Sequence, residues 1–329
     1  MDNAHTPPFA GLTPDAILDA VESLGLRASG SLLALNSYEN RVYQVGLDDE
    51  APLVAKFYRP ERWSDEAILE EHAFSLQLAE REIPAVPPLV FDGRTLHSHG
   101  GFRFALFARR GGRVPELDRD ETLQWVGRFL GRIHAVGRTE AYRHRPTLDI
   151  RSFGRDSVDF LLNGRLLPPE LEEVYRGVAE QALQGVARCF ERAGAVAQLR
   201  LHGDCHVGNL LWTDAGPHFV DFDDSRTGPA VQDLWMLLSG DRADQSRQLG
   251  EVLAGYEDFC EFDQRELNLL EALRTLRLMH YSAWLARRWH DPAFPAAFPW
   301  FGAQRYWEEQ ILALREQIAL MDEPPLWSC

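Results

Sequence analysis

Only four cysteines stand in 329 residues, at positions 189, 205, 260 and 329, with no Cys-x-x-Cys pair and no metal-like spacing. A disulfide framework is therefore not expected. Long apolar runs are missing as well: no uninterrupted stretch approaches the roughly 20 residues of a membrane helix, so no membrane partner is expected. Met1–Ala10 lacks a basic segment followed by an apolar run and is not read as a secretory signal. Positive charge is in short supply: 34 Lys+Arg face 50 Asp+Glu, for a formal net charge of −16. A phosphate backbone needs a basic footprint, so no nucleic-acid partner is expected, although a nucleotide needs only one or two local cations. Repeats and low-complexity tracts are absent too. What remains is an ordinary globular composition, 45 % hydrophobic and 26 % charged, expected to be a reduced, cytoplasmic monomer of about two domains or two lobes.

Periodicity separates two regions. Thr13 is placed to cap a helix from about Pro14 to Leu24, with Ile17, Val21 and Leu24 on one face. Strand-like segments follow at Leu32–Leu35, Arg41–Val45 and Leu53–Tyr58. Next comes a helix capped at Ser64 or Asp65 and stopped before Pro84, then strands at Leu89–Phe91 and Phe102–Phe107. Beyond the Gly/Arg-rich run Arg109–Arg113 the pattern turns helical. Helices are expected at Glu121–Val136, Glu170–Arg192, Gln232–Leu238, Gln245–Phe259, Arg265–Trp289 and Gln304–Ala319. Short strands at Leu199–Leu201, Leu210–Trp212 and His218–Phe222 interrupt them. A small mixed lobe followed by a larger helical one is expected, with a boundary near Phe107–Gly112. The proline-rich segment Asp291–Phe301 reads as a stiff apolar loop.

Chemistry concentrates in Leu201-His202-Gly203-Asp204-Cys205-His206-Val207-Gly208-Asn209, a loop between two short strands. The Asp204-x4-Asn209 spacing is that of a kinase catalytic loop. There a carboxylate takes or orients a hydroxyl proton and an amide oxygen serves a hard cation. Asp221, after apolar residues at a strand end, is placed as a second oxygen ligand for Mg²⁺. The strand Val54-Ala55-Lys56 suits a lysine that contacts nucleotide phosphates. Its carboxylate partner should come from the following helix. Glu71 is preferred because Phe74 and Leu78 can anchor the same side, and Glu70 remains the alternative. His202 reads as a structural loop histidine, and Asp223 and Asp224 as turn residues or caps. A competing chemistry is a metal hydrolase, with His202, Asp204 and His206 ligating zinc. It leaves Lys56 and Asn209 without roles.

The string His202-Gly203-Asp204-x-His206-x-x-Asn209, followed by Asp221, resembles the aminoglycoside phosphotransferase/choline kinase-like family. Asn36–Tyr43, Lys56–Trp63, Gln232–Trp235 and Asp291–Pro295 are similar to a bacterial branch of that family whose members are protein serine/threonine kinases. The resemblance implies an α+β, bilobal protein-kinase-like fold. Residues 1–108 would form a small β-rich nucleotide-binding N-lobe, and residues 109–329 a larger, mainly helical catalytic and substrate lobe. ATP and Mg²⁺ are implied, with Asp204 as proton acceptor, Asn209 and Asp221 on the metal, and Lys56 on phosphates. Ser37 would contact ATP from a nucleotide-covering turn, Phe107–Arg109 would form the adenine hinge, and Asp233 would brace the catalytic loop. The implied acceptor is a protein serine or threonine, the chain itself included, in a setting of stress response and cell survival. A kinase for a small amine or alcohol, as in the wider family, is the alternative. Ser37–Asn40 replaces a glycine-rich loop, and no Ala-Pro-Glu string follows Asp221. Acidic residues are expected at the rim of the cleft beside Asp204, to receive a basic protein.

Overall fold

The structure, a computed structural model, describes residues 7–326. The reading of Met1–Ala10 falls partly, and that of Cys329 wholly, outside the described residues. The elements in order are α1 (Pro14–Glu22), β1 (Ala28–Ala34), β2 (Arg41–Leu47), β3 (Leu53–Phe57), α2 (Asp65–Glu80), β4 (His97–His99), β5 (Phe102–Ala108) and α3 (Asp120–Gly137). They continue with α4 (Asp156–Asn163), α5 (Pro169–Ala193), β6 (Leu199–Leu201), β7 (Leu210–Thr213), β8 (Gly216–Phe219) and β9 (Arg226–Gly228). The last are α6 (Val231–Trp235), α7 (Arg242–Tyr256), α8 (Leu270–Arg287), α9 (Ala293–Ala297) and α10 (Gln304–Asp322). The α+β expectation, a sheet-rich N-terminal region and a helical C-terminal one, is what is observed. No helix among the described residues is long and apolar enough to cross a membrane.

The chain divides into two compact units, each discontinuous in sequence. The first holds the residues through Glu116 together with Glu140–Arg145 and His206–Ser225. Its antiparallel sheet has the order β1-β2-β3-β5-β4. Alternation along β3 sends Leu53, Ala55 and Phe57 into a core with Ile17, Ala20 and Val21 of α1. Lys56 lies between them in sequence and so leaves the other face, in register with Ala105, which packs with Tyr58 and Ile68 of α2. Helix α1 begins as its sequence signals: the Thr13 hydroxyl accepts from Ala16 N at 3.2 Å. Ser64 caps α2 in the same way. The hairpin β7–β8 completes this unit.

The second unit contains Leu117–Thr139, Pro146–Cys205 and the chain from Arg226 onward. Helices α3 and α7 pack backbone to backbone. A Cβ on Gly127 would overlap the Val252 carbonyl, and one on Gly255 the Gln124 carbonyl, so both positions require glycine. Strands β6 and β9 pair antiparallel.

Several expectations are corrected. Leu89–Phe91 is not a strand: Pro87 and Pro88 bring no N–H to a ladder, and only isolated bridges form, Pro88 to Phe107 and Phe91 to Arg94. The fourth strand is β4, turned into β5 by Gly100 and Gly101 at φ +56° and +85°. Helix α4 and strand β9 carry too little pattern to be expected. Segment 291–301 contains the short helix α9. Pro292 caps it and Pro295 sits in its first turn, where a missing N–H costs no intrahelical bond.

Candidate active site

In the first unit, the Lys56 ammonium reaches Asp221 Oδ1 at 2.8 Å and Asp223 Oδ1 at 3.4 Å. Burial opposes its charge, yet the two carboxylates outweigh burial and hold its pKa well above the ordinary lysine range. Lys56 is the only lysine in the sequence; every other basic side chain apart from histidine is arginine. A compact ammonium with three donors is thus used once, at the point where it meets two aspartates.

The helix partner expected for Lys56 is corrected by this geometry. Glu71 is 2 % exposed and makes no ion pair with Lys56; its Oε2 is buried without a hydrogen-bond partner. Burial pushes its carboxyl up to about 7, against the pull of Lys56. Glu70 is not the partner either. Its carboxylate accepts from the backbone N–H groups of Arg143, His144 and Arg145 at 2.8, 2.8 and 3.0 Å. It thereby ties that segment to α2. Arg145 in turn donates to the Ser225 carbonyl at 2.8 Å and to the Asp223 carbonyl. Next to Glu71, His72 is pushed down to about 3 by burial and stays neutral between the Tyr58 hydroxyl at 2.7 Å and the Thr95 hydroxyl at 2.8 Å.

Asp223, expected to be a turn residue, is a buried hub. It is held by Arg62, by the Asn40 amide at 3.0 Å and by Lys56. Burial alone would raise its carboxyl, but Arg62 and Lys56 reverse the direction and hold it below the usual range. Arg62 also pairs with Asp224 at 2.8 Å, and Arg59 with Glu39 at 2.9 Å. The β1–β2 turn is thereby fastened to the segment after β8. Ser37 lies in that turn, and its hydroxyl donates to the Asn40 carbonyl at 3.3 Å.

Asn209 and Asp221 stand at one end of the β7–β8 hairpin, closed by Val220 N donating to Asn209 O at 3.1 Å. Asp221 adopts a left-handed backbone, φ +60° and ψ +65°, which aspartate tolerates better than bulkier residues. Its side chain is 53 % exposed while that of Asp223 is 4 % exposed. Only the first is therefore accessible to a ligand. An amide and a carboxylate are hard oxygen donors, and Mg²⁺ is commonly held by one or two carboxylates plus phosphate oxygens, so this donor set fits that ion. Among the described residues no three His, Cys, Asp or Glu side chains converge to hold a metal. The zinc cluster of His202, Asp204 and His206 therefore does not form. His206 instead accepts from Gly208 N at 2.9 Å.

In the second unit, Asp204 follows β6 in a loop braced from below. Asp233, fully buried, accepts from His202 N at 2.7 Å and Gly203 N at 2.8 Å, and pairs with His134 at 3.1 Å. Gln232 donates to the Gly203 carbonyl at 3.2 Å. His202 is fully buried and structural, as its place in the loop suggests. The charge set against Asp204 is basic: Arg277 of α8 lies 2.8 Å from its Oδ1. Sequence pattern gave no hint of this contact, because Arg277 is one of many arginines on helices. Asp223 was equally hidden, since a third acidic residue in a turn looks like a cap.

These geometries can be set beside known proteins. Residues 31–270 match the phosphotransferase enzyme family. Stress response kinase A of Escherichia coli (strain K12) is 47 % identical over 318 residues, 97 % of this chain and 96 % of that protein. The serine/threonine protein kinase RdoA of Salmonella typhimurium (strain LT2) is 45 % identical over 325 residues, covering 99 % and 98 %. Among solved structures, amicoumacin kinase, in a complex with AMP-PNP, Ca²⁺ and Ami, superposes with a TM-score of 0.71 at 18 % identity over 93 % of each chain. A microcompartment-associated aminopropanol kinase superposes at 0.66 with 19 % identity, covering 92 % of this chain and 95 % of its own. With the family match over most of its length and relatives sharing nearly half its residues, the chain belongs to the phosphotransferase enzyme family.

Proposed function

We propose that this chain is an ATP- and Mg²⁺-dependent protein serine/threonine kinase of the stress response, acting as a cytoplasmic monomer. The observation that carries the acceptor class is the 45–47 % identity, over 97–99 % of the chain, to relatives named as stress response and serine/threonine kinases. The solved small-molecule kinases share only its fold, at 18–19 % identity.

The roles follow from side-chain chemistry. Lys56, charged at all working pH values, is the cation for the nucleotide phosphates. Asn209 and Asp221 are the oxygen ligands for magnesium, which, when bound, would neutralise charge on the phosphate oxygens. Ser37 borders the nucleotide from the turn that Glu39 and Asn40 fasten down, and Phe107–Arg109 supplies the adenine hinge. Residues 1–108 serve the nucleotide and residues 109–329 the acceptor, with His206–Ser225 contributing to the first task. Asp204 accepts the proton of the serine or threonine hydroxyl as its oxygen bonds to phosphorus and the bond to ADP breaks. Asp233 keeps that carboxylate's loop in place.

The test is incubation with labelled ATP, Mg²⁺ and a panel of proteins, beside a panel of small alcohols and amines. Acid-stable phosphoserine or phosphothreonine on protein, the chain itself included, is the expected result. Label confined to a small alcohol or amine replaces this reading with a small-molecule phosphotransferase.

A further inference from the structure

Arg277 is a partner that the roles above do not use. Its side chain is 39 % exposed, and its Nη1 lies 2.8 Å from the Asp204 carboxylate. A guanidinium carries five N–H donors in a planar fork. One nitrogen stands against Asp204, and a side chain 39 % exposed leaves donors within reach of an incoming group. On the same face of α8, at spacings of four and seven, stand Tyr281 and Trp284, with rings stacked at 5.6 Å and 21°. The helix therefore presents a cation and then an aromatic shelf, starting at the carboxylate that receives the acceptor's proton.

We infer that Arg277 selects the acceptor by charge, favouring a polypeptide whose serine or threonine is flanked by acidic side chains and rejecting acceptors with a nearby ammonium or guanidinium. A cation brought to Asp204 would have to share a carboxylate that already has a counter-ion, and would meet a like charge. An acidic side chain would instead accept the other N–H groups of Arg277 in charge-assisted hydrogen bonds. The net charge of −16 gives an acidic segment no long-range attraction, so the preference rests on this local cation. The inference rests on the protein-kinase reading and adds to it the class of sequence phosphorylated.

The experiment measures kcat/KM for three peptides that differ only in the residues flanking one serine: Asp/Glu, Ala, or Arg. The wild-type protein should rank them acidic, neutral, basic, with at least about tenfold between the extremes, the size of one charge-assisted contact. Arg277→Gln should compress that ratio to within about threefold, chiefly through peptide KM, with the KM for ATP little changed. Arg277→Lys keeps the charge and should keep the ranking. A wild-type preference for the basic peptide, or an Arg277→Gln protein that retains the full ratio, overturns the inference. If Arg277→Gln fails to fold, the wild-type ranking and Arg277→Lys still decide it. Protein phosphorylated with no discrimination among the peptides removes the role of Arg277 alone. No polypeptide phosphorylated under any condition removes the protein-kinase reading with it.

Discussion

The Lys56 ammonium and the Asp221 carboxylate meet at 2.8 Å across 165 residues of sequence, one buried on a central strand and the other half exposed after a hairpin. Their pairing couples the sheet of the first unit to the segment after β8. It leaves Glu71, the acid on the helix, buried with one carboxylate oxygen lacking a hydrogen-bond partner.

Lys56→Met should lower kcat/KM by at least about tenfold and raise the KM for ATP. It removes a charge-assisted contact worth roughly 1.5–3 kcal/mol and deprives Asp221 and Asp223 of a counter-ion. Because no other lysine exists, an amine-directed reagent should modify one side chain, slowly, since burial and two aspartates keep it protonated. Peptide mapping by mass spectrometry reads the modified position, and Mg-ATP should slow the modification further. Equal labelling with and without Mg-ATP would show that the nucleotide does not approach Lys56.

Asp204→Asn should reduce turnover by about 10²–10⁴-fold while leaving the Kd for ATP within a few-fold, because a proton acceptor acts on the chemical step. The loop is held by Asp233 through the His202 and Gly203 N–H groups, so it should keep its shape. Single-turnover assays and calorimetry separate the two quantities. Near-normal turnover would remove Asp204 from its role.

Asp221→Ala should weaken nucleotide binding in Mg²⁺ and leave binding in chelator much less affected. It removes an accessible hard ligand and leaves Lys56 with Asp223 alone. Titration calorimetry with and without the metal measures the difference. The same loss in both conditions would assign Asp221 to holding Lys56 rather than to the metal.

Glu71→Gln gives a pH test. The native carboxyl titrates near 7, against an ordinary value of 4.5. Between those values the folded protein keeps a proton that the unfolded chain has lost, so this group's contribution to stability is present below about 4.5 and is lost as pH rises to 7. Glutamine cannot ionise. The variant's stability relative to wild type should therefore improve from pH 5 to pH 7, by an amount on the order of 1–3 kcal/mol. His72, buried neutral, slopes the other way in both proteins and cancels in the comparison. Urea denaturation at the two pH values measures it; parallel curves would mean that Glu71 is ionised throughout.

Asp233→Ala should cost about 3 kcal/mol or more of stability, since it strands two buried N–H groups and a buried histidine. It should also lower kcat by loosening the loop that carries Asp204. Thermal unfolding and turnover, measured together, should fall in parallel.

Local signals proved readable where a short stretch of chain settles its own conformation. Thr13 and Ser64 cap their helices, the β3 alternation separates Lys56 from the apolar core, and the hairpin between Asn209 and Asp221 lies where the apolar strands place it. The misses share a cause. His97–His99 has no strand composition and is ordered by pairing with Phe102–Phe104, while Leu89–Phe91 has strand composition and is kept from the ladder by two prolines.

The order of chemical groups along the chain was legible in the sequence alone: one lysine on a strand, an aspartate and asparagine five apart, and a second aspartate beyond a hairpin. Each depends on residue type and spacing within about a dozen positions. The choice of partners was not legible. Lys56 prefers Asp221 and Asp223 to Glu71, Arg62 rather than a turn holds Asp223, and Arg277 stands against Asp204. Charge pairing acts over a few ångströms of space. Which of 50 acids lies that close to a given cation depends on how strands and helices distant in sequence pack, and no local pattern encodes it.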